Sequence, residues 1–544
     1  MRAQMQDWPL VSSTIIDHAA RFHGGRRILT RSIEGPIVET NWAAVREKAL
    51  KVSAGLRGLG LNAGDRVGVM AWNTGRHLEV WHGVPGAGGV LHSLNPRLFD
   101  DQLIYIINHA EDRWIMMDHD LVPLIERIAP KLETVDGYIV LTDRAHMPET
   151  SLPGALCYED WVAAQPTDQG WTAVDERDAC GICYTSGTTG NPKGVVYGHR
   201  SHVLHAMAVL QPDVLGLSAN DVVMPVVPLF HANGWSTAFS CPMSGAAMVM
   251  PGRDMSGAAI YEMLEQGVTI TLAVPTVWLA LLQFLEETGQ RFSTLKRVVI
   301  GGSACPRAVM EKFEKVYGVQ VIHAWGMTET SPLGSFATPT PETLALPEEE
   351  QMEMRLRTGR PFYSVDLKVE TDDGAEAPRD GETAGRLFVR GPGVLQRYLR
   401  AETDAADSVG WFDTGDVANM DAYGSIKITD RSKDVIKSGG EWISSIDIEN
   451  LAVSHPGVSE AAAVGVPHPK WDERPILLVV RSQGTQATAD EVRAHIGEHV
   501  AKWQVPDDIL FVEDIPHTAT GKISKVTIRQ MLEEQGYKLP DMRG

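Results

Sequence analysis

YTSGTTGNPKG, residues 184–194, crowds threonines, a serine, glycines and one lysine between an apolar, strand-like run and a helix-forming stretch. Side chains this small let a backbone wrap closely round an oxygen-rich ligand, and free N–H groups beside hydroxyls and an ammonium suit a phosphate chain. The segment is therefore read first as a nucleotide-binding loop. It is not a Walker A loop, which needs G-x-x-x-x-G-K-[ST]; here Lys193 is mis-spaced from Gly187 and Gly190 and is followed by Gly194.

The chain has 544 residues, enough for roughly three or four folding units. Its formal net charge of −21, from 49 Lys+Arg against 70 Asp+Glu, repels a polyphosphate backbone and argues against nucleic acid as a partner. A local cluster of donors can still take an anionic small molecule. Met1 to Ser12 carries no basic start followed by an apolar core, and no apolar run reaches the roughly 18 residues of a membrane helix. A cytoplasmic protein is the expectation. The five cysteines are scattered, as in a reducing compartment. Cys180 and Cys183 form a CxxC, but they sit in the strand-like ACGICYTSG, where positions three apart face opposite sides; packing thiols are expected. His199, His202 and His205 share a helical stretch without a further ligand nearby, so a metal site there is not expected.

Upstream of the phosphate loop, NWAAVREKALKVSAGLRGLG reads as an amphipathic helix, DRVGVMAWN as a strand and HLEVWHGVPGAGGVLHS as a second helix. RWIMMD, DGYIVL, DVVMPVVP, AAMVMPG, VTITLAVP, LKRVVIGG and VQVIHAWG read as further strands, several with a helix after them. Short apolar strands separated by helices predict parallel sheets covered on both faces. Beyond residue 360, SVDLKVE, GRLFVRG, GWFDTGD and GSIKITD alternate in character and predict a small antiparallel unit, with Asp416 at a tight turn. After DRSKDVIKSGGEWIS, the tail has its own strand signals and two helices, at ADEVRAHIGEHVAKW and KVTIRQMLEEQ, and reads as a separate α+β domain.

Four more segments join the phosphate loop in order: HAWGMTETSP (323–332), WFDTGD (411–416), DRSKDVIKSGGEWIS (430–444) and PHTATGKISK (516–525). Together these resemble the adenylate-forming superfamily of acyl-CoA synthetases, luciferases and peptide-synthetase adenylation domains, over essentially the whole chain. PLFHANGW, VPTVWLALL and VVIGGSACPR are similar to the fatty-acyl-CoA synthetase branch. The resemblance implies an α/β fold with a large N-terminal adenylation domain (1–430) of layered α/β subdomains plus a small β-unit, a hinge (431–433) and a mobile α+β C-terminal domain (434–544). It implies an AMP-forming acid–thiol ligase in which a carboxylate attacks the α-phosphate of ATP and coenzyme A then displaces AMP from the acyl-adenylate. A short or medium-chain aliphatic acid such as 3-methylthiopropionate is the expected substrate; a long-chain or aryl acid, or a nucleotide-binding protein without turnover, are the alternatives. A homodimer is expected from the long-chain branch.

The same resemblance assigns residues. Thr185, Ser186, Gly187, Thr188, Thr189, Gly190 and Lys193 would cradle the β- and γ-phosphates. Glu329, with Thr185, would hold Mg²⁺, and Thr328 would touch the α-phosphate. Gly302, Ser303 and Ala304 would border adenine, with Trp325 as the opposite wall in a nucleotide segment that runs through His323, Ala324, Gly326 and Met327. Asp416 would take the ribose hydroxyls, with Arg431 near ribose and phosphate and Lys433 at the hinge. Lys522 would bridge the carboxylate and the α-phosphate during adenylation; His517 stands upstream of it where Arg or Lys is more usual, which leaves the anchoring of the loop open. His231, Trp235, Gly302 and Pro332 would line the acyl site, and Ser438, Gly439, Gly440, Glu441 and Trp442 a tunnel for the thiol arm.

Overall fold

The computed structural model describes residues 1, 3–185, 191–438, 441–518 and 523–540, without the side chains of residues 441 and 442. Four sheets carry it. The first orders strands Leu156–Cys157, Gly137–Leu141, Asp112–Asp118, Arg66–Met70, Val90–Ser93, Ala179–Thr185 and Lys193–Gly198, all parallel except the final pair. The second is nine-stranded. Its parallel middle, from Gln320–Gly326 through Arg297–Ile300, Ile270–Ala273, Val222–Pro225 and Ala247–Met250 to Arg27–Arg31, is flanked at both edges by antiparallel strands.

Helices wedged between these sheets explain the parallel arrangement. Helix Gly75–Gly86 is buried along nearly its whole length, since it faces a sheet and other helices at once. Its Gly83 has no room for a side chain, because a Cβ there would stand 2.6 Å from Val52 of helix Trp42–Gly58. Trp42, Trp81, Phe239 and Ile28 lie at the centre of the shared core, and Trp42 Nε1 donates to Ala246 O at 2.9 Å. Helix starts are capped as residue type dictates: Asn41 accepts from Ala44 N and Thr74 from His77 N, contacts worth about 1 kcal/mol each.

The third sheet is antiparallel, Asp366–Glu370, Gly385–Arg390, Phe412–Met420 and Ile426–Arg431. The fourth combines Glu441–Ile443, Ile436–Ser438, Asp472–Arg481 and Val458–His468 with Asp508–Phe511, backed by helices Ser445–Ser454, Ala489–Gly497 and Lys525–Glu534. Its core is separate from that of the large sheets.

Three local expectations need correction. The phosphate loop does not lead from a strand into a helix: it joins strand Ala179–Thr185 to the antiparallel strand Lys193–Gly198, and helix His199–Val209 begins only after that strand. HLEVWHGVPGAGGVLHS is a helix only to Gly86; Gly88 turns the chain at φ +79° and VLHS becomes a central strand. Asp416 is not at a tight turn. It lies inside the nine-residue strand Phe412–Met420, beside Gly415 at φ +71°, and the register slips on both neighbouring strands near it. Such an irregularity re-aims a side chain without ending the strand.

Candidate active site

A cavity of about 1070 Å³ opens where the large sheets, the antiparallel sheet and the C-terminal unit meet. Thr185 and Lys193 reach its wall from the two strands that bracket the phosphate loop. Ser186, Gly187, Thr188, Thr189 and Gly190 lie outside the described residues, as do Gly439, Gly440 and Lys522. Strand Gln320–Gly326 delivers Ala324, Trp325 and Gly326, and the turn after it delivers Met327, Thr328 and Glu329. Thr328 is fixed through its carbonyl, which accepts from Tyr197 OH at 2.7 Å.

Glu329 is 6% exposed, and burial pushes its carboxyl above the usual carboxylate range. Tyr398 OH donates to Oε1 at 2.7 Å, while the Lys193 ammonium sits 5.0 Å from the centre of the Tyr398 ring. No Lys or Arg forms an ion pair with Glu329 among the described residues. A desolvated, under-compensated carboxylate and Thr185, on the wall of the same cavity, offer oxygen donors that suit a hard dication such as Mg²⁺, which needs only one or two protein ligands when phosphates and water complete its shell. Tyr398 lies in an irregular segment with no sequence pattern of its own, so nothing upstream of the structure pointed to it.

Trp325 lines the cavity and ties its Nε1 to Asp416 Oδ2 at 2.9 Å; Arg431 Nε meets Asp416 Oδ1 at 2.9 Å. The Asp416 carboxylate is thus engaged at both oxygens, 2% exposed and set behind the wall, with Arg431 in front of it. Gly302 and Pro332 are on the wall, with Gly301 added to them; Ser303, Ala304 and His323 are not. His323 instead fastens its strand, with Nδ1 at 2.9 Å from Leu356 O.

His231 and Trp235 also line the cavity, as do the apolar Val226, Val274, Val277 and Ala280. Residues 232–236 all have positive φ (46°, 58°, 57°, 54° and 71°), a left-handed turn in which each non-glycine residue costs roughly 1–2 kcal/mol. The turn aims the Trp235 ring at Gly301, whose absent Cβ would stand 3.0 Å from it. Asn73 holds the approach to this turn: Nδ2 donates to Pro225 O and Val227 O at 2.7 and 2.8 Å, and Oδ1 accepts from Leu229 N at 2.7 Å.

From the C-terminal unit, Lys433, Lys437, Thr518, Ile523 and Arg529 reach the wall. Ser438 is buried off the cavity, its hydroxyl taken by Arg474 at 3.0 Å. His517 pairs Nε2 with Glu460 Oε1 at 2.6 Å and forms an isolated β-bridge with Ile523. Elsewhere, Cys180 and Cys183 are free, buried and pushed upward in pKa by burial, as packing thiols are. His199, His202 and His205 are buried along helix His199–Val209; among the described residues the one cluster of three or more His, Cys, Asp or Glu ligand atoms is the partly exposed Glu460, Asp514 and His517.

Residues 16–399 match the family described as AMP-binding enzyme, and residues 447–522 match the AMP-binding enzyme C-terminal domain. The chain belongs to the AMP-binding enzyme family. Among its relatives in that family, a 3-methylmercaptopropionyl-CoA ligase of Ruegeria pomeroyi is 48% identical over 98% of this chain and 99% of its own length. A medium-chain-fatty-acid–CoA ligase of Ectopseudomonas oleovorans is 44% identical over 97% of each. The structure of an anthranilate CoA ligase in complex with anthranoyl-AMP superposes with a TM-score of 0.87 at 25% identity, covering 98% of this chain and all of that one. The adenylate-forming fold expected from the motifs, with a large N-terminal and a small C-terminal part, is therefore the fold observed. No helix among the described residues is long and apolar enough to cross a membrane.

Proposed function

We propose that the protein is an AMP-forming acyl-CoA ligase, joining a carboxylic acid to coenzyme A through an acyl-adenylate at the cost of ATP. One observation carries the reading: a single cavity is lined by Thr185 and Lys193 from the borders of the phosphate loop, by a buried, under-compensated Glu329, and by His231 and Trp235 together with apolar side chains such as Val226, Val274 and Val277. A free carboxylate has no adequate leaving group, and adenylation supplies one. Adenylation must bring two anions together, so the demand is for fixed donors and cations. Thr185, Lys193 and Thr328 hold phosphate oxygens, Arg431 reaches the ribose side, and Trp325, fixed by Asp416, makes a flat wall for the base. Asp416 serves the ribose side through Arg431, which it holds at the cavity wall. His231 borders the reacting carboxylate. Lys522 neutralises the repulsion between carboxylate and α-phosphate. Glu329 and Thr185 hold Mg²⁺, which supplies charge neutralisation on the phosphates when bound.

Residues 1–430 form the adenylation part, 431–433 the hinge and 434–544 the mobile part. Rotation about the hinge would withdraw Lys522 and bring Ser438, Gly439, Gly440, Glu441 and Trp442 to the cavity as a passage for the thiol arm. The high identity to the 3-methylmercaptopropionyl-CoA and medium-chain ligases supports a short or medium aliphatic acid, 3-methylthiopropionate first among them. A homodimer through the large domain belongs to the same proposal, supported by Ile37 and Val38, which stand exposed on an edge strand of the nine-stranded sheet. The test is a panel of acids of increasing length with ATP, Mg²⁺ and coenzyme A, read as pyrophosphate release and thioester mass. Short or medium acids give both products, and Lys522→Ala abolishes pyrophosphate release. Failure of every acid, or ATP turnover that does not depend on acid, refutes the reading.

A further inference from the structure

Lys525 opens helix Lys525–Glu534, yet its side chain is only 10% exposed. Its ammonium meets Glu449 Oε1 at 2.8 Å and donates to Ser445 Oγ. Glu449 Oε1 also accepts from Ala463 N at 2.9 Å, so these contacts knit two helices and a strand of the C-terminal unit together. The same cluster crosses to the antiparallel sheet. Asp430, 1% exposed on strand Ile426–Arg431, accepts from Ser445 N at 2.8 Å and lies within the field of Lys525, and Ser444 Oγ donates to Thr429 O at 2.6 Å. Burial alone would discharge the ammonium; the carboxylates of Glu449 and Asp430 outweigh it and keep Lys525 charged. The residue after Asp430 is Arg431, which lines the cavity and holds Asp416.

We propose that Asp430 and Lys525 are positioning residues that dock the C-terminal unit for adenylation only. The inference rests on the proposed two-step reaction. Asp430 precedes the hinge and Ser445 and Lys525 follow it, so rotation for the thiol step must part them. The dock thereby sets Lys525, three positions after Lys522 in the sequence, toward the strand that carries Arg431. A buried charged contact made in one arrangement and broken in the other biases the equilibrium between the two by the free energy it contributes to the first. Glu449 completes the device by keeping Lys525 buried in both arrangements.

Asp430→Asn can keep the hydrogen bond from Ser445 N through its one amide oxygen, gives up the bond that Oδ1 accepts from Arg431 N at 2.8 Å, and removes the charge that faces Lys525. Acid-dependent ATP–pyrophosphate exchange should fall roughly tenfold, while thioester formation from supplied acyl-adenylate and coenzyme A should stay within about twofold of the parent. Lys525→Met combined with Glu449→Gln and Asp430→Asn, which removes every buried charge of the cluster together, should give the same split. An equal fall in both half-reactions, or no fall in exchange, overturns the proposal. A second measurement needs no turnover: trypsin should cleave after Arg431, Lys433 and Lys437 faster in Asp430→Asn than in the parent, and unchanged cleavage overturns the dock. Absence of exchange in the parent would refute the two-step reading of the site, and the cleavage rates would still decide whether Asp430 holds the two parts together.

Discussion

Trp235→Ala should lengthen the acids this protein accepts. The ring is 7% exposed, lines the cavity and points at Gly301, and its backbone is held at φ +54°. Alanine keeps the Cβ and therefore the strained backbone, so the substitution removes the indole alone. The vacated length matches an extended chain of roughly three or four methylenes; at about 0.8 kcal/mol each, their burial adds some 2.4–3.2 kcal/mol, or roughly 60- to 200-fold in kcat/KM for an acid long enough to fill the space. A short acid gains nothing and loses a wall, so its KM rises. The cost in stability belongs at the low end of the roughly 3–5 kcal/mol for Trp→Ala in a core, because one side of the ring already borders open space. Steady-state kcat/KM across a series of straight-chain acids reads the effect. An unchanged ranking of chain lengths would refute the assignment of Trp235 as the end wall of the acyl recess.

Three other outcomes follow from the site and its surroundings. Glu329→Gln should cut pyrophosphate release by roughly 10²- to 10³-fold and shift the Mg²⁺ dependence of the reaction. Burial raises the folded-state pKa of Glu329, so the parent carries a penalty that is full above that pKa and vanishes as pH falls below the unfolded value near 4.3; thermal melts should show the glutamine variant gaining stability on the parent at neutral pH and not at pH 4. Tyr398→Phe removes the 2.7 Å hydrogen bond to Glu329 while keeping the ring under Lys193, and should cost about 1–3 kcal/mol by denaturant titration. His202 stacks on Phe239 with centroids 4.5 Å apart, and burial lowers its pKa to about 3, so its proton uptake favours unfolding as pH drops from 6.5 toward that value; His202→Leu should flatten this acid limb by about 1 kcal/mol or more.

Much of the architecture was legible because parallel strands buried on both faces must be short apolar runs, and RVGVM, GYIVL, ITLA and RVVI are such runs. Strand order was not, since it depends on contacts between distant segments: Leu91 pairs with Gly181, and Ile28 with Met248. The site motifs were legible where small or charged residues stand in unusual company, as at Trp325 to Glu329. Roles that depend on geometry were hidden. Asp416 reads as an exposed turn carboxylate, and only the bulge beside Gly415 turns it inward onto Trp325. Nothing in PLFHANGWS signals five consecutive left-handed residues, because asparagine and glycine account for only two of them. Lys525 looks like a solvated helix-start lysine until Glu449 and Asp430, far away in sequence, are seen around it.

The claim on which the account depends is that the acid's own oxygen bonds to the α-phosphate. Turnover with an acid labelled with ¹⁸O in both carboxylate oxygens, ATP and coenzyme A tests it through the mass of the AMP released. The account predicts AMP carrying one labelled oxygen, left behind when the thiol takes the acyl group. Unlabelled AMP, or ADP in its place, would contradict it.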